Sequence, residues 1–249
     1  MIIAIDGPAG SGKSTVAKLV AGRMGFAYLD TGAMYRAVAW RALEENIDLS
    51  DPLSQHSIDQ IVALATNEPV EFGYEKGEAL PSRVFINGRE VTNQIRLAET
   101  DRVVSAVSAL PGVRLALTEQ QRRFGESNDT VMEGRDIGTV VFPSAELKVF
   151  LTASAEERAQ RRTIQNAARQ GKNFDESEYE RILADILRRD EYDSTREISP
   201  LAVAIDSILL DTTDLSIEKV VSRIAEMAVE RWVMPPAFED PSIDYTQTG

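Results

Sequence analysis

The apolar positions along the chain fall into two rhythms. Short runs occur at Ile2 to Ile5, Phe26 to Leu29, Thr130 to Met132, Leu147 to Leu151 and Ser207 to Leu210. An uninterrupted run of that length is what a strand buried on both faces presents. Between the runs, apolar residues recur at helical spacing. Val16, Leu19 and Val20 share one face of a helix predicted over Thr15 to Arg23. Further helices are predicted from Thr31 to about Asn46, from Pro52 to Asn67, from Leu97 to Leu110, from Pro111 to Phe124, from Glu176 to Asp193 and from Ser216 to Trp232. The start and stop signals agree: Thr31 is a good N-cap, Pro52 and Pro111 suit a first helical position, and Gly25 and Gly125 suit helix ends. Ser154-Ala155-Glu156-Glu157 is a capping box and opens another helix.

Between residues 69 and 93 the rhythm changes. Val70–Phe72, Arg83–Ile86 and Arg89–Thr92 are short strand-like runs, and Asn87-Gly88 is a strong two-residue hairpin signal. The whole therefore reads as an α/β chain, a parallel sheet with helices on both faces, interrupted by a small antiparallel β insertion. The expected organisation is a core over residues 1–66 and 106–232, an insertion over 67–105 and an irregular tail over 233–249. No internal repeat is visible.

One turn in this pattern carries chemistry. Gly7-Pro8-Ala9-Gly10-Ser11-Gly12-Lys13-Ser14 matches Gly-x-x-x-x-Gly-Lys-[Ser/Thr] at every specified position, between a predicted strand and a predicted helix. Glycines let successive backbone N–H groups face an anion, and the helix start adds unsatisfied donors and partial positive charge. Lys13 would reach the β- and γ-phosphates of a nucleoside triphosphate, and the Ser14 hydroxyl would ligate Mg²⁺. Gly7 to Thr15 is the expected ATP-binding segment.

Composition narrows the choices. At 249 residues the chain can bury a full core. Cysteine is absent, which excludes disulfides, thiol catalysis and Cys-ligated zinc, and suits a reducing cytoplasm. No apolar run is long enough to cross a bilayer, and a leader is not expected, since Met1 leads straight into the first predicted strand. The net charge of −13 argues against a nucleic-acid polymer as partner, because that needs a broad basic face. Small anionic substrates need only a local basic pocket. Of the 27 Lys and Arg residues, 21 are Arg, which is either a composition bias or a supply of bidentate phosphate ligands. The lone His56 lies on a predicted surface helix, so a histidine base is not expected. No apolar seam suggests a dimer, and a monomer is expected.

Three other stretches are candidates. In Asp30-Thr31-Gly32-Ala33-Met34-Tyr35-Arg36 a hydroxyl, a phenol and an arginine gather near a helix N-terminus. They suit a second phosphate group, or an ordinary cap with an exposed Arg. Arg135-Asp136 sits between Gly134 and Ile137-Gly138 at a strand's C-terminal end, where open α/β sheets bind ligands. It is a local salt bridge, or an anion-binding Arg beside an accepting Asp. Arg158, Arg161 and Arg162 on one helix and Arg181, Arg188 and Arg189 on the next flank a polar stretch, Gln165 to Asn173. They form a mobile lid over phosphates, or solvated helix faces.

Together these motifs resemble the bacterial cytidylate kinases. The resemblance spans residues 2–231 and rests on the loop, on Leu29-Asp30-Thr31-Gly32-Ala33-Met34-Tyr35-Arg36, on the β-rich insertion and on Gly134 to Pro143. It implies a P-loop nucleoside monophosphate kinase fold with a five-stranded parallel sheet, a monophosphate-binding insertion and a helical lid at about 158–190. It also implies the reaction, transfer of a phosphoryl group from ATP with Mg²⁺ to CMP or dCMP. By motif, Thr31, Tyr35 and Arg36 would hold the acceptor nucleotide, with Arg36 on its phosphate. Ser105 would touch cytosine, Arg114 and Arg135 would line the pocket, and Asp136 would read the cytosine amino group. Asp193 and Arg196 match positions near the ribose. Arg161, Arg162 and Arg189 look like lid arginines that act with Lys13 and Arg135 on the transferring phosphoryl. The tail departs from the family pattern. Two alternatives are another small-molecule P-loop kinase and a nucleotide-dependent switch. The Asp-x-x-Gly and Asn-Lys-x-Asp patterns of the switch GTPases do not occur.

Overall fold

A computed structural model describes residues 1–74, 78 and 80–233. The five apolar runs form one parallel sheet. Its strands are β1 (Ile2–Asp6), β2 (Ala27–Asp30), β6 (Thr130–Gly134), β7 (Leu147–Thr152) and β8 (Ile208–Asp211), in the order β2-β6-β1-β7-β8. The reason the runs are continuous is visible in β1, where every residue is buried. Ala4, Leu29 and Met132 join the core under α2 (Thr31–Glu44), α3 (Gln55–Asn67), α4 (Ala98–Ala109) and α5 (Pro111–Glu126). Ile3, Ile5, Tyr28, Val131 and Val149 join the core under α1 (Lys13–Met24) and α8 (Ile217–Val233). Burying both faces removes apolar area from water at about 25 cal/mol per Å² and selects the α/β/α layering.

The insertion folds as a separate antiparallel sheet of β3 (Val70–Gly73), β4 (Arg83–Ile86) and β5 (Arg89–Glu90), in that order. Asn87, at φ 50°, and Gly88, at φ 72°, make the β4–β5 turn, which needs left-handed backbone at both positions. Helices α6 (Ala155–Gln170) and α7 (Glu176–Thr195) form an arm with its own small core of Ala159, Ile182 and Ile186.

Several predicted boundaries shift. The N-cap of α2 is Asp30, whose carboxylate accepts from the Ala33 N–H at 2.9 Å, and Thr31 is the first helical residue. Both residue types cap well, and the deeper packing of Thr31 decides between them. Helix α3 starts at Gln55 with Ser54 as cap, not at Pro52, because the Ser54 hydroxyl accepts from Ser57 N. Helix α6 does not dissolve at Gln165. It runs on to a Gly171 cap, since Ala159, Thr163 and Ala167 supply a buried stripe at four-residue spacing through the polar stretch. Strand β5 stops at Glu90 instead of Thr92, because the Thr92 hydroxyl turns to accept from Val84 N. Helix α8 extends through Val233, and the rest of the predicted tail, 234–249, lies outside the described residues. No described helix is long and apolar enough to cross a membrane.

Candidate active site

The parallel order puts the ends of β1, β6 and β2 side by side, with Asp6 opposite Gly134 and Asp30 opposite Glu133. The phosphate-binding loop leaves β1 at this edge. Gly7, Gly10 and Gly12 all have positive φ, at 148°, 78° and 87°. Gly7 has a second reason to lack a side chain: a Cβ there would sit 2.0 Å from the Leu151 carbonyl oxygen on β7. The close approach presses the loop onto the sheet and aims it at the start of α1, which begins at Lys13, two residues earlier than the apolar spacing predicts.

Lys13 is buried, and its Nζ donates to the Pro8 carbonyl at 2.7 Å. Burial, then the neighbouring Arg135 guanidinium, push its pKa down, while Glu133, Asp6 and Asp193 pull the other way. Ser14 Oγ donates to Glu133 Oε2 at 2.9 Å, and the Tyr28 hydroxyl donates to Glu133 Oε1. Burial and the nearby Asp30 raise the Glu133 pKa. Asp6 accepts from the N–H groups of Ile137 and Gly138, at 2.9 and 2.7 Å, and fixes the turn that carries Arg135 and Asp136. Burial first of all raises its pKa to about 6. Thr31 Oγ1 donates to the Glu133 carbonyl at 2.7 Å, tying α2 to β6.

From Lys13 the arginines form a connected cluster. Arg135 Nε donates to Asp193 at 2.9 Å, and Arg196 Nη1 stands 3.9 Å from the same carboxylate. Arg114 pairs with Asp136, both buried, and its guanidinium lies 5.2 Å from the centre of the Tyr35 ring. Arg36 bonds Asp101 at 2.5 Å and the Ile95 carbonyl at 3.1 Å. Arg189 stands 3.6 Å from Asp101, and burial, then Arg135 and Arg36, lower its pKa to about 10. Among the described residues, Arg114 Nε, Arg189 Nε and Arg196 Nη2 are buried with no hydrogen-bond partner, while the Tyr35 hydroxyl lies beside Gln121. Buried polar atoms are normally satisfied, so three unpaired guanidinium nitrogens in one cluster leave donors available to an external acceptor.

The structure thus brings together Lys13, Tyr35, Arg36, Arg114, Arg135, Asp136, Arg189, Asp193 and Arg196. It does not bring Arg161 there. That guanidinium is held by Glu157 at 2.7 Å and by the carbonyls of Thr212 and Thr213 beyond β8. Arg162 is exposed on α6. Ser105 is half-buried on α4, and its carbonyl accepts from Ser108 Oγ at 3.0 Å. Arg158 is buried inside the arm's base: Nη1 donates to Ala9 of the loop at 2.9 Å and Nη2 meets Asp190 at 2.7 Å. His56 is exposed on α3. Sequence reasoning missed Asp6, Tyr28, Glu133 and Asp101. A signal existed only for Asp6 and Glu133, which are acidic residues closing the two apolar runs that precede the glycine-rich turns.

The family model described as cytidylate kinase matches residues 3–230. A cytidylate kinase of Carboxydothermus hydrogenoformans is 48% identical over 227 residues, covering 91% of this chain and 96% of that protein. One from a Geobacillus species is 47% identical over 230 residues, covering 92% and 96%. Among solved structures, a shikimate kinase from Bacteroides thetaiotaomicron is similar with a TM-score of 0.43 at 14% identity, over 92% of this chain and 98% of that one. The matched span reaches from the first strand to the closing helix, and the chain belongs to the cytidylate kinase family.

Proposed function

We propose that this protein transfers the γ-phosphoryl group of ATP to the phosphate of CMP and dCMP. The observation that carries the reading is the set of five guanidiniums, Arg36, Arg114, Arg135, Arg189 and Arg196, linked to one another and to Lys13 in a chain of net charge −13. Concentrating cations in an acidic protein costs stability, and a polyanionic reaction accounts for that expense. The acceptor is itself a phosphate with a second pKa of about 6, so it is a nucleophile at neutral pH and needs no general base. What the residues supply is alignment and cancellation of charge.

In this reading the loop N–H groups and Lys13 hold the ATP phosphates, and Arg36 and Arg135 hold the acceptor phosphate. Mg²⁺ fits beside the loop, because the Ser14 hydroxyl and the Glu133 carboxylate already meet at 2.9 Å, and this ion takes only one or two protein oxygens. When bound, it would neutralise β- and γ-phosphate charge. Tyr28 fixes Glu133 from the other side. Thr31, Tyr35, Ser105, Arg114 and Asp136 would surround cytosine, with Asp193 and Arg196 at the ribose. Asp136 can accept from the cytosine amine but repels the uracil carbonyl. Residues 67–105 would serve the acceptor nucleotide, and 158–190 would close as a lid that excludes water. Arg161 and Arg162 reach the phosphoryl only through that closure, in which Arg161 must leave Thr212 and Thr213. A cytoplasmic monomer acting in pyrimidine metabolism completes the proposal.

A coupled ADP-release assay with CMP, dCMP, UMP and AMP tests it. Turnover is expected with CMP and dCMP, and much less with UMP. If AMP outpaces CMP, the role of Asp136 is wrong. Arg135→Ala is expected to weaken CMP binding by about 2–3 kcal/mol, roughly 30- to 150-fold, the lower end for a buried charge partner because Arg135 is partly exposed. Titration calorimetry reads this directly, and an unchanged affinity removes Arg135 from the acceptor site.

A further inference from the structure

Asp101 sits in the first turn of α4, one helical turn before Ser105, and about a third of its side chain is exposed. Its Oδ1 takes the Arg36 Nη2 donor at 2.5 Å and faces Arg189 Nη1 at 3.6 Å. Arg36 comes from α2 and Arg189 from α7, so one carboxylate oxygen joins three helices. The Asp101 carboxylate is shared between two guanidiniums. Arg36 also donates to the Ile95 carbonyl, Arg189 has Asp193 as its other acidic neighbour, and Arg189 Nε is buried without a hydrogen-bond partner among the described residues. A third guanidinium, Arg135, lies close enough to disfavour the charge of Arg189. Such a site accepts a stronger anion readily, and a phosphate monoester brings more charge and three acceptor oxygens.

We propose that Asp101 is a built-in substitute for the acceptor's phosphate, holding Arg36 and Arg189 in place in the substrate-free enzyme and competing with that phosphate for them. This rests on the reading of the cluster as the acceptor site. Its consequence is that Asp101 lowers the affinity for every anion by a similar factor. A nucleotide, which also has base and ribose contacts, still binds, while a simple anion such as sulfate binds weakly.

The test is Asp101→Asn in the full chain, with Asp101→Ser as a second charge-removing variant and Asp101→Glu as the charge-keeping one. Removing the charge is expected to lower the KM for CMP about 2- to 5-fold, the range that a partly exposed ion pair would give. It should also strengthen sulfate binding, read by calorimetry, by a similar factor. Asp101→Glu should lower neither. The KM for ATP should move less than that for CMP. A KM for CMP that rises or stays unchanged in the Asn and Ser variants overturns the proposal, since Asp101 would then position the arginines or do nothing to them. An equal fall in both KM values also overturns it. Sulfate binding needs no turnover, so it still decides the matter if the wild-type protein fails to phosphorylate CMP, an outcome that would strike the function instead.

Discussion

Lys13→Ala is expected to lower kcat with CMP on the order of 10³-fold while the thermal midpoint stays within a few degrees of wild type. The kinetic part follows from the position of the ammonium. It is buried in the loop at the start of α1, where in the proposed reaction a cation would face charge that develops during phosphoryl transfer. Removing one such preorganised contact costs about 10² to 10³ in kcat, and cationic groups in phosphoryl transfer reach further. The stability part follows from the electrostatics. Burial and the Arg135 guanidinium both disfavour the charged form of Lys13. Its loss relieves that repulsion, but it takes a counter-cation from Glu133, Asp6 and Asp193 and leaves the Pro8 carbonyl without its 2.7 Å donor, a cost of about 1–3 kcal/mol that the relief partly offsets. ADP release and a melting curve on the same preparation check both parts. Wild-type turnover would remove the loop from the chemistry. A midpoint lowered by more than ten degrees or so would make Lys13 part of the scaffold.

Arg114→Ala is expected to destabilise the protein by about 3–5 kcal/mol, because it strands a buried carboxylate. Arg114 and Asp136 are each about 5% exposed and pair with one another. Arg114 Nη1 also holds the Ser108 carbonyl at 3.0 Å, and its guanidinium covers the Tyr35 ring. At this size each kcal/mol moves the midpoint by roughly 2–4 °C, so a fall of about 6–20 °C is expected. The double variant Arg114→Met with Asp136→Asn should recover much of the loss, since it removes both charges together. A double-mutant cycle in chemical denaturant measures the coupling. Additive losses would mean that Asp136 is solvated and that the pair does not define the pocket.

The two predictions share a cause. In the structure, protein carboxylates balance most of the arginines: Asp101 for Arg36 and Arg189, Asp136 for Arg114, Asp193 for Arg135 and Arg196. An acidic chain can therefore keep a strongly cationic site folded, with polar atoms such as Arg196 Nη2 left over for a ligand.

By itself the sequence determined the order of strands and helices, the phosphate-binding loop and the Asn87-Gly88 turn. These depend on the period of apolar residues or on the backbone freedom of glycine, and both are local properties that a few neighbouring residues encode. Adjacent capping residues such as Asp30 and Thr31, or Pro52 and Ser54, were separable only once packing chose between them. The site's partnerships were a tertiary decision. Ser14 meets Glu133 across 119 residues, Asp6 holds the Ile137 N–H across 131, and Arg36 meets Asp101 across 65. Those contacts exist because β6 lies beside β1 in the sheet and α4 and α7 close over the same edge. No period in the chain records which charge will face which. Strand order decides that, and strand order is set by which arrangement of the layers buries both faces of the sheet.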